Sequence, residues 1–563
     1  MSDRHLAHWP PGLSRHLTLP QTNLFHNAEV SAARFPDKPF LVFYDTLVTF
    51  RQFQQQAEHI AGFLQQVCGV KAGDRVLLYM QNSPQWILAF YGILRANAVV
   101  VPVNPMNLTD ELRHYARDSG ATVAFVPQDL HAQAQPLVDV AGSEGTLQHL
   151  IVAAYSDYLQ VPTDLPVPAF VSAPRQAIDA PGVTLWSDML AQQRTPGPLT
   201  AGPDDLCVMP YTSGTTGHPK GCMHTHATLL ASNVASQVWR QLNVDSVILC
   251  VAPMFHMLGL QNGMNVPITL GGTIIMMPRW NPVQAAQLIE RHRVTVWTAP
   301  PSMVIDLFAQ PQAQQCDLSS LTLLSGGGAA MPEAVATMLA ERFGLSYNEG
   351  YGLTETASFL HGNPLSRGKR QCLGMPTQGV ESRIVDPETL EDLPLGEVGE
   401  LVTHGPQVMQ GYWRNEEANR AAFFERDGKR FFRTGDLASI DEDGYYFMRD
   451  RLKRMINASG FKVWPAEVES TMYEHPAIHE ACVIAVDDAK RGETVKALIV
   501  LKPPQRGQVT EQELIDWSRE RMAAYKVPRL IEFVEHLPKS GTGKILWREL
   551  QAQHRTPGAP QCA

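Results

Sequence analysis

The segment Tyr211-Thr212-Ser213-Gly214-Thr215-Thr216-Gly217-His218-Pro219-Lys220-Gly221 carries the densest set of groups able to handle phosphate. Gly214, Gly217 and Gly221 let the main chain come close to a ligand, Thr212, Ser213, Thr215 and Thr216 offer hydroxyl donors, and Lys220 adds positive charge, so the run reads as a phosphate cradle. A generic Gly/Ser/Thr run is more often a surface loop, and Pro219-Lys220 at this spacing argues against that here. It is not a Walker loop, because G-x-x-x-x-G-K-[ST] needs Gly and Lys adjacent and His218-Pro219 separates Gly217 from Lys220. No G-x-S-x-G elbow supports a serine hydrolase. The eight cysteines lie far apart with no C-x-x-C pair, which argues against a zinc cluster or a disulfide framework and fits free thiols in a reducing compartment.

Such a loop must be held by rigid elements, and alternating patterns supply them. Thr49-Phe50-Arg51-Gln52 has the form of a capping box, followed by Phe53, Ala57, Ile60, Ala61 and Leu64 at helical spacing. Residues 74–80 read as a buried strand, Ser83-Pro84 as an N-cap with proline at the first helical position, and 99–101 as the next strand. A helix over 111–119, stopped by Gly120, and a strand over 122–126 continue the alternation. Residues 153–203, proline-rich and without clear period, read as excursion and connector. Strands are expected again at 246–251, 294–298 and 321–325, with helices at 283–293 and 332–343. The fold class is therefore α/β, with two doubly wound sheet-and-helix lobes. Residues 379–403 change to short strands and turns, a small β-rich section. After Arg451 the pattern changes once more, and a smaller α+β domain is expected from Lys453.

The chain has 563 residues, too many for one ordinary domain. With 44% hydrophobic and 18% charged residues it can build a core. Lys and Arg number 46 against 56 Asp and Glu, and a net charge of −10 makes electrostatic nucleic-acid binding a poor expectation. Residues 453–563 hold slightly more basic than acidic side chains, so nearly all the acidity belongs to the larger part. Nowhere do about 18 apolar residues run together, and the polar N-terminus shows no secretory signal. A cytoplasmic protein without an integral membrane segment is expected.

The loop resembles the signature of the adenylate-forming superfamily of acyl-CoA synthetases, luciferases and peptide-synthetase adenylation domains. Further matches follow in the family's order: Pro253-Met254-Phe255-His256, Gly326-Gly327-Gly328, Tyr351-Gly352-Leu353-Thr354-Glu355-Thr356, Thr434-Gly435-Asp436-Leu437, Asp450-Arg451-Leu452-Lys453, and Pro538-Lys539-Ser540-Gly541-Thr542-Gly543-Lys544. The resemblance covers about residues 30–550. It implies an N-terminal adenylate-forming domain over 1–452, with two lobes and a β-barrel-like section, and a mobile C-terminal domain over 453–563. ATP, Mg²⁺ and coenzyme A are the implied cofactors, and a homodimer is implied although no surface in the sequence shows one.

In that reaction a carboxylate attacks the α-phosphate of ATP and expels pyrophosphate, which calls for positive charge and metal. The resemblance makes Glu355 the Mg²⁺ ligand, with Thr215 and Thr354 near the phosphates; a lone Glu beside phosphate oxygens suffices for Mg²⁺. Gly326, Gly327 and Gly328 with the Tyr351 ring would form the adenine slot, Gly352 belonging to the same motif. Asp436 matches the acid that accepts from the ribose hydroxyls and Arg451 a ribose or phosphate contact. Lys544 matches the catalytic lysine that enters the site during adenylation and withdraws afterwards, Lys453 the hinge, and Ser459-Gly460-Phe461-Lys462 the loop that turns toward the pantetheine channel. His256 is expected between acyl and thiol channels, as a gate rather than a base. Asp450, where many relatives have Gly, is expected to matter little.

The resemblance is strongest to bacterial medium- and long-chain fatty-acid–CoA ligases, through residues 457–469. Met254, Leu258, Leu260, Trp297 and Phe359 are candidate acyl walls, although such residues are as readily ordinary core. Leu260 stands where some long-chain relatives carry a gating Trp, so a tunnel gated in that way is not expected. No cationic residue visibly awaits a second carboxylate, which disfavours dicarboxylic acids. An aryl-acid ligase of benzoate or cinnamate type is the alternative. An amino-acid-adenylating enzyme is less favoured, because Phe255 is followed by His256 rather than by Asp; a luciferase shares the motifs and only chemistry separates it. A non-catalytic nucleotide sensor would lack Lys544, Glu355 or Lys220, and all three are present.

Overall fold

A computed structural model describes residues 3–142, 146–212, 219–458, 461–488, 492–539 and 545–554, with the side chains of residues 314, 453, 457, 461, 462 and 492 outside the description. The chain divides into two compact units: Trp9–Glu381 with His404–Phe423, and Met1–His8 with Ser382–Thr403 and Phe424–Ala563.

The first unit contains two large sheets. One runs, in spatial order, Tyr347–Tyr351, Leu323–Gly326, Val296–Thr298, Val247–Cys250, Thr273–Met276 and Pro39–Phe43, all parallel, with antiparallel short strands at both edges. The other has a parallel centre of Leu206–Val208, Val99–Val103, Arg75–Tyr79, Val123–Pro127, His149–Ala153 and Val183–Leu185. Its opposite edge is antiparallel, formed by Lys220–Thr225 and Gly411–Tyr412. The central parallel strands Arg75–Tyr79, Val99–Val103, Val123–Pro127 and His149–Ala153 are mostly apolar and buried, as strands covered on both faces are.

The elements form where the sequence patterns place them. Thr49 caps the helix Phe50–Gln66 in a reciprocal capping box with Gln52, and Phe53, Ala57, Ile60, Ala61 and Leu64 are all buried. Ser83 accepts from the Trp86 amide at 3.1 Å and starts Pro84–Arg95, whose residues other than Arg95 are all buried. A Cβ at Gly92 would meet Ile60 Cγ2 at 2.5 Å, so glycine lets these two helices approach closely. The connector after residue 153 is more ordered than its composition implies. Val183–Leu185 extends the second sheet beside His149–Ala153, and Trp186–Ala191 follows with Trp186 fully buried. Three half-buried strand residues give no alternation to read; pairing with a neighbour decides them.

The second unit contains a five-stranded sheet, Glu381–Val385, Gly399–His404, Lys429–Ile440, Phe423–Arg426 and Tyr446–Arg451, in keeping with the β-rich section expected from residue 379. It also holds a separate five-stranded sheet in which Ile478–Asp488 and Gly492–Leu501 form a long hairpin, with Leu530–Phe533 parallel to the latter. Asp450 has a larger part than expected. Its carboxylate is 2% exposed and accepts from the Ala466 amide at 2.7 Å, fastening the start of the helix Pro465–Tyr473.

Candidate functional site

Tyr211–Thr212 and Lys220–Thr225 form a hairpin in which Thr212 pairs with Lys220 and Tyr211 with Gly221. Ser213, Gly214, Thr215, Thr216 and Gly217 stand between these two strands in the sequence and lie outside the described residues. The paired strands themselves are firmly held. Tyr211 donates its hydroxyl to Asp118 Oδ2 at 2.5 Å, and the Trp413 indole donates to the Asp118 carbonyl at 2.9 Å.

Lys220 and Glu355, distant in sequence, are brought together by a residue that sequence reasoning did not single out. Gly411–Tyr412 pairs with the strand carrying Lys220, Cys222 opposite Tyr412. Lys220 Nζ lies 5.3 Å from the centre of the Tyr412 ring, and the Tyr412 hydroxyl donates to Glu355 Oε1 at 3.0 Å. Burial and the neighbouring Glu355 carboxylate raise the Tyr412 phenol well above its usual range, so it remains a donor at all physiological pH. The Glu355 carbonyl accepts from the Met409 amide at 2.8 Å, which fixes its backbone as well.

The turn Thr354–Thr356 is fastened from below by His224, also missed in the sequence. His224 is fully buried, and its Nε2 lies 2.7 Å from the Thr354 carbonyl. A carbonyl only accepts, so Nε2 carries the proton; Nδ1 lies 3.1 Å from the Thr228 hydroxyl, which donates to the Thr225 carbonyl at 2.9 Å. Burial lowers the His224 pKa to about 4, keeping the ring neutral. The backbone beyond the turn is strained, with Ala357 at φ 51° and Ser358 at φ 85°. Ser232 Oγ donates to the Ala357 carbonyl at 2.6 Å and accepts from the Phe359 amide at 3.1 Å. Gly352 is demanded by the same turn: a Cβ there would sit 1.1 Å from the Ser358 carbonyl oxygen.

Three of the expected motifs leave the same edge of the first sheet. Pro253–His256 follows Val247–Cys250, Gly326–Gly328 follows Leu323–Gly326, and Gly352–Thr356 follows Tyr347–Tyr351, all at carboxyl ends of parallel strands. From Val247–Cys250 the chain first adds Thr273–Met276 on one side, then returns to add Val296–Thr298 on the other. Crevices of α/β sheets open at such reversals. A Cβ at Gly326 would lie 1.9 Å from the Ala299 carbonyl oxygen, and Gly328 has φ 87°, so the triplet is required by its own backbone. Tyr351 is half-buried, its ring centre 5.6 Å from that of His361.

His256 is half-buried, its ring centre 4.3 Å from that of Phe255, and its carbonyl accepts from the Leu260 amide at the entry to the π-helix Gly259–Asn265. Of the expected acyl walls, Met254, Leu260 and Trp297 are fully buried in the main core, Phe359 is 5% exposed and Leu258 is half-buried.

Asp436 and Arg451 belong to the second unit, where they face each other across Lys429–Ile440 and Tyr446–Arg451. Arg451 Nε is 3.1 Å from Asp436 Oδ1, and Asp436 is 2% exposed. Beneath them Glu400 holds Arg433 at 2.6 Å and accepts from the Gly435 amide at 3.1 Å. Lys453 lies in the 3-10 turn Leu452–Arg454, its side chain undescribed; Phe461 opens the strand Phe461–Val463, its side chain likewise undescribed. Gly460 and Lys544 lie outside the described residues. Among the described residues every cysteine is a free thiol, no cluster of three or more His, Cys, Asp or Glu could hold a metal, and no helix is long and apolar enough to cross a membrane.

Comparison with known proteins gives the family. Residues 28–413 match the model of the AMP-binding enzyme family, and residues 467–544 that of the AMP-binding enzyme C-terminal domain. The chain is 35% identical to a long-chain-fatty-acid–CoA ligase of Bacillus subtilis (strain 168), covering 97% of each chain. It is 34% identical to a feruloyl-CoA synthase of Amycolatopsis sp, over 90% of this chain and 94% of that one. Among solved structures, the anthranilate CoA ligase AuaEII in complex with anthranoyl-AMP superposes with a TM-score of 0.80 at 28% identity, over 96% of this chain and 98% of the other.

Proposed function

We propose a medium- or long-chain fatty acid as the substrate of this protein, which belongs to the AMP-binding enzyme family and is an AMP-forming acyl-CoA ligase using ATP and CoA. The observation that carries the substrate reading is the 35% identity to a long-chain-fatty-acid–CoA ligase along 97% of both chains. The apolar character of Met254, Leu258, Leu260, Trp297 and Phe359 supports it.

The fatty carboxylate attacks the α-phosphorus of ATP, pyrophosphate leaves, and an acyl-adenylate forms; the CoA thiol then attacks the acyl carbonyl and AMP leaves. In this reading Thr212, Ser213, Gly214, Thr215, Thr216, Gly217 and Lys220 hold the phosphates. Lys544 stabilises charge on the α-phosphate during the first step. The Tyr412 phenol, donating to Glu355, orients the carboxylate. Glu355 and Thr215 offer hard oxygen donors suited to Mg²⁺, which neutralises phosphate charge when bound. Gly326 to Gly328, Tyr351, Gly352 and Thr354 receive the adenine side of the nucleotide, Asp436 the ribose and Arg451 the ribose or a phosphate. His256 separates the acyl channel from the thiol channel. A functional division at residues 452/453, with Lys453 as hinge and Gly460-Phe461 turning toward CoA, is part of the same proposal, as are a homodimer and a cytoplasmic location.

A second reading, an aryl-acid CoA ligase, is favoured by the 34% identity to a feruloyl-CoA synthase. Pyrophosphate and AMP release with ATP and Mg²⁺, with and without CoA, on octanoate, palmitate, benzoate, ferulate and amino acids separates the two. CoA-dependent turnover highest on octanoate or palmitate supports the fatty-acid reading. Turnover on aryl acids alone replaces it.

A further inference from the structure

Arg240 caps the C-terminus of the helix His226–Trp239 and is 7% exposed. Its Nη1 donates to Asn262 Oδ1 at 2.5 Å, and its Cζ lies 4.8 Å from the centre of the Phe359 ring. Among the described residues no carboxylate pairs with it. Other arginines drawn inside are neutralised, Arg433 by Glu400 and Arg454 by Glu469. Burial lowers the Arg240 guanidinium to about 10, still charged at neutral pH. One neutral amide and one ring face do not replace the hydration of a guanidinium, whose burial without a counter-ion costs several kcal/mol. A further anion would complete this environment.

Its surroundings say where that anion would come from. Asn262 also accepts from Ser236 and donates to the Leu258 carbonyl, and it lies in the π-helix that follows Pro253–His256. Phe359 follows directly on the strained turn after Glu355. The guanidinium thus touches both segments that carry the acyl-site motifs. The neighbouring Trp239 donates to the Asn363 carbonyl, and Asn363 in turn donates to the Glu349 carbonyl. The charge also lies close to Tyr347. At about 3.3 Å per strand residue, the levels of Glu349 and Tyr347 lie roughly 7 to 13 Å along the sheet from Tyr351, where the nucleotide motif begins.

Resting on the fatty-acid reading, we propose that Arg240 is a second anion-binding point of the acyl site, and that the acids this ligase selects carry an ionised group at the end remote from the reacting carboxylate. An α,ω-dicarboxylic acid of medium length has that chemistry, one carboxylate being activated and the other paired with Arg240. The sequence alone disfavours such acids because nothing in Val238-Trp239-Arg240-Gln241 marks the arginine as buried. Its burial and its lack of a carboxylate partner are visible only in the fold.

The test compares kcat/KM on chain-matched pairs, octanoate with suberate and decanoate with sebacate, for the wild type, Arg240→Met and Arg240→Lys, with melting temperatures alongside. The wild type is expected to use at least one diacid about tenfold better than its monoacid. Arg240→Met should lose about a hundredfold on the diacid while keeping the monoacid within about twofold, and Arg240→Lys should recover part of the diacid rate. Equal losses on both acids, or a wild type that uses neither diacid better than its monoacid, overturn the assignment; the wild-type ratio decides alone if Arg240→Met does not fold. Absence of turnover on all four aliphatic acids, with aryl acids accepted, overturns the fatty-acid reading itself and this inference with it.

Discussion

At the end proposed to hold phosphate, Lys220 lies over the Tyr412 ring and Glu355 accepts from the Tyr412 hydroxyl, so these side chains are engaged with one another within the fold. At the end assigned to the acid, Arg240 meets Asn262, Phe359 and Tyr347 and, among the described residues, no carboxylate. The two regions share the turn from Thr354 to Phe359, yet among the described residues the first links its charged groups through Tyr412 and the second gives its arginine no carboxylate. Groups that serve every substrate are best preorganised, because reorganising them during reaction would raise the barrier. A group that selects among substrates can leave its partner to the correct one, since the wrong substrate then leaves a buried charge unpaired.

Substitutions at the phosphate end should therefore lower the rate by the same factor on every acid, whereas those at the acyl end should reorder the acids. The largest uniform effect is expected for Lys544→Ala, which should slow adenylation by about a thousandfold while supplied acyl-adenylate is still converted to acyl-CoA. Single-turnover assays of the two half-reactions check this, and parallel loss in both refutes an alternating role. Glu355→Gln should cost about a hundredfold in pyrophosphate release, equally on octanoate and benzoate. A change in their ratio would show that Glu355 reaches the acyl side as well. Tyr412→Phe removes one hydrogen bond to a charged group, worth about 1.5–3 kcal/mol at most, and should raise the Mg²⁺ requirement and lower the rate by about tenfold.

The smallest effect falls on stability rather than rate. His224 is neutral in the fold with a pKa near 4, against 6.5 for an ordinary histidine. Between those values the unfolded chain binds a proton that the folded chain refuses, so stability is full above pH 6.5 and falls as pH drops toward 4, by about 3 kcal/mol at the limit. His226 behaves alike, with its Nδ1 accepting from the Leu24 amide at 3.1 Å. His224→Gln, which can still donate to the Thr354 carbonyl, should reduce the acid-induced fall in melting temperature by about half between pH 7 and pH 5. An unchanged slope would show that His224 does not carry that loss.

Much of this organisation is legible along the chain. The capping box at Thr49, the proline start at Pro84, the glycine stop at Gly120 and the strands near residues 247, 296 and 323 follow from local spacing, because caps and periodicity act within a few residues. The motifs that lead to Glu355, His256 and the glycine triplet are also local runs, and their order identifies the family. The strand Val183–Leu185, the capping role of Asp450 and the acid-sensitive His224 are not legible, since each depends on what lies across a sheet or helix.

By itself the sequence determined the class of chemistry: phosphate-handling groups, a carboxylate and a lysine arranged in short motifs whose residues act close to one another. Tertiary structure decided how those groups are poised. Tyr412 becomes a link only because its strand pairs with that of Lys220, His224 becomes neutral only because the fold buries it, and Arg240 becomes a selective charge only because folding strips most of its water and, among the described residues, supplies no carboxylate. Burial and pairing are properties of space rather than of spacing, and they set the energy of a charge.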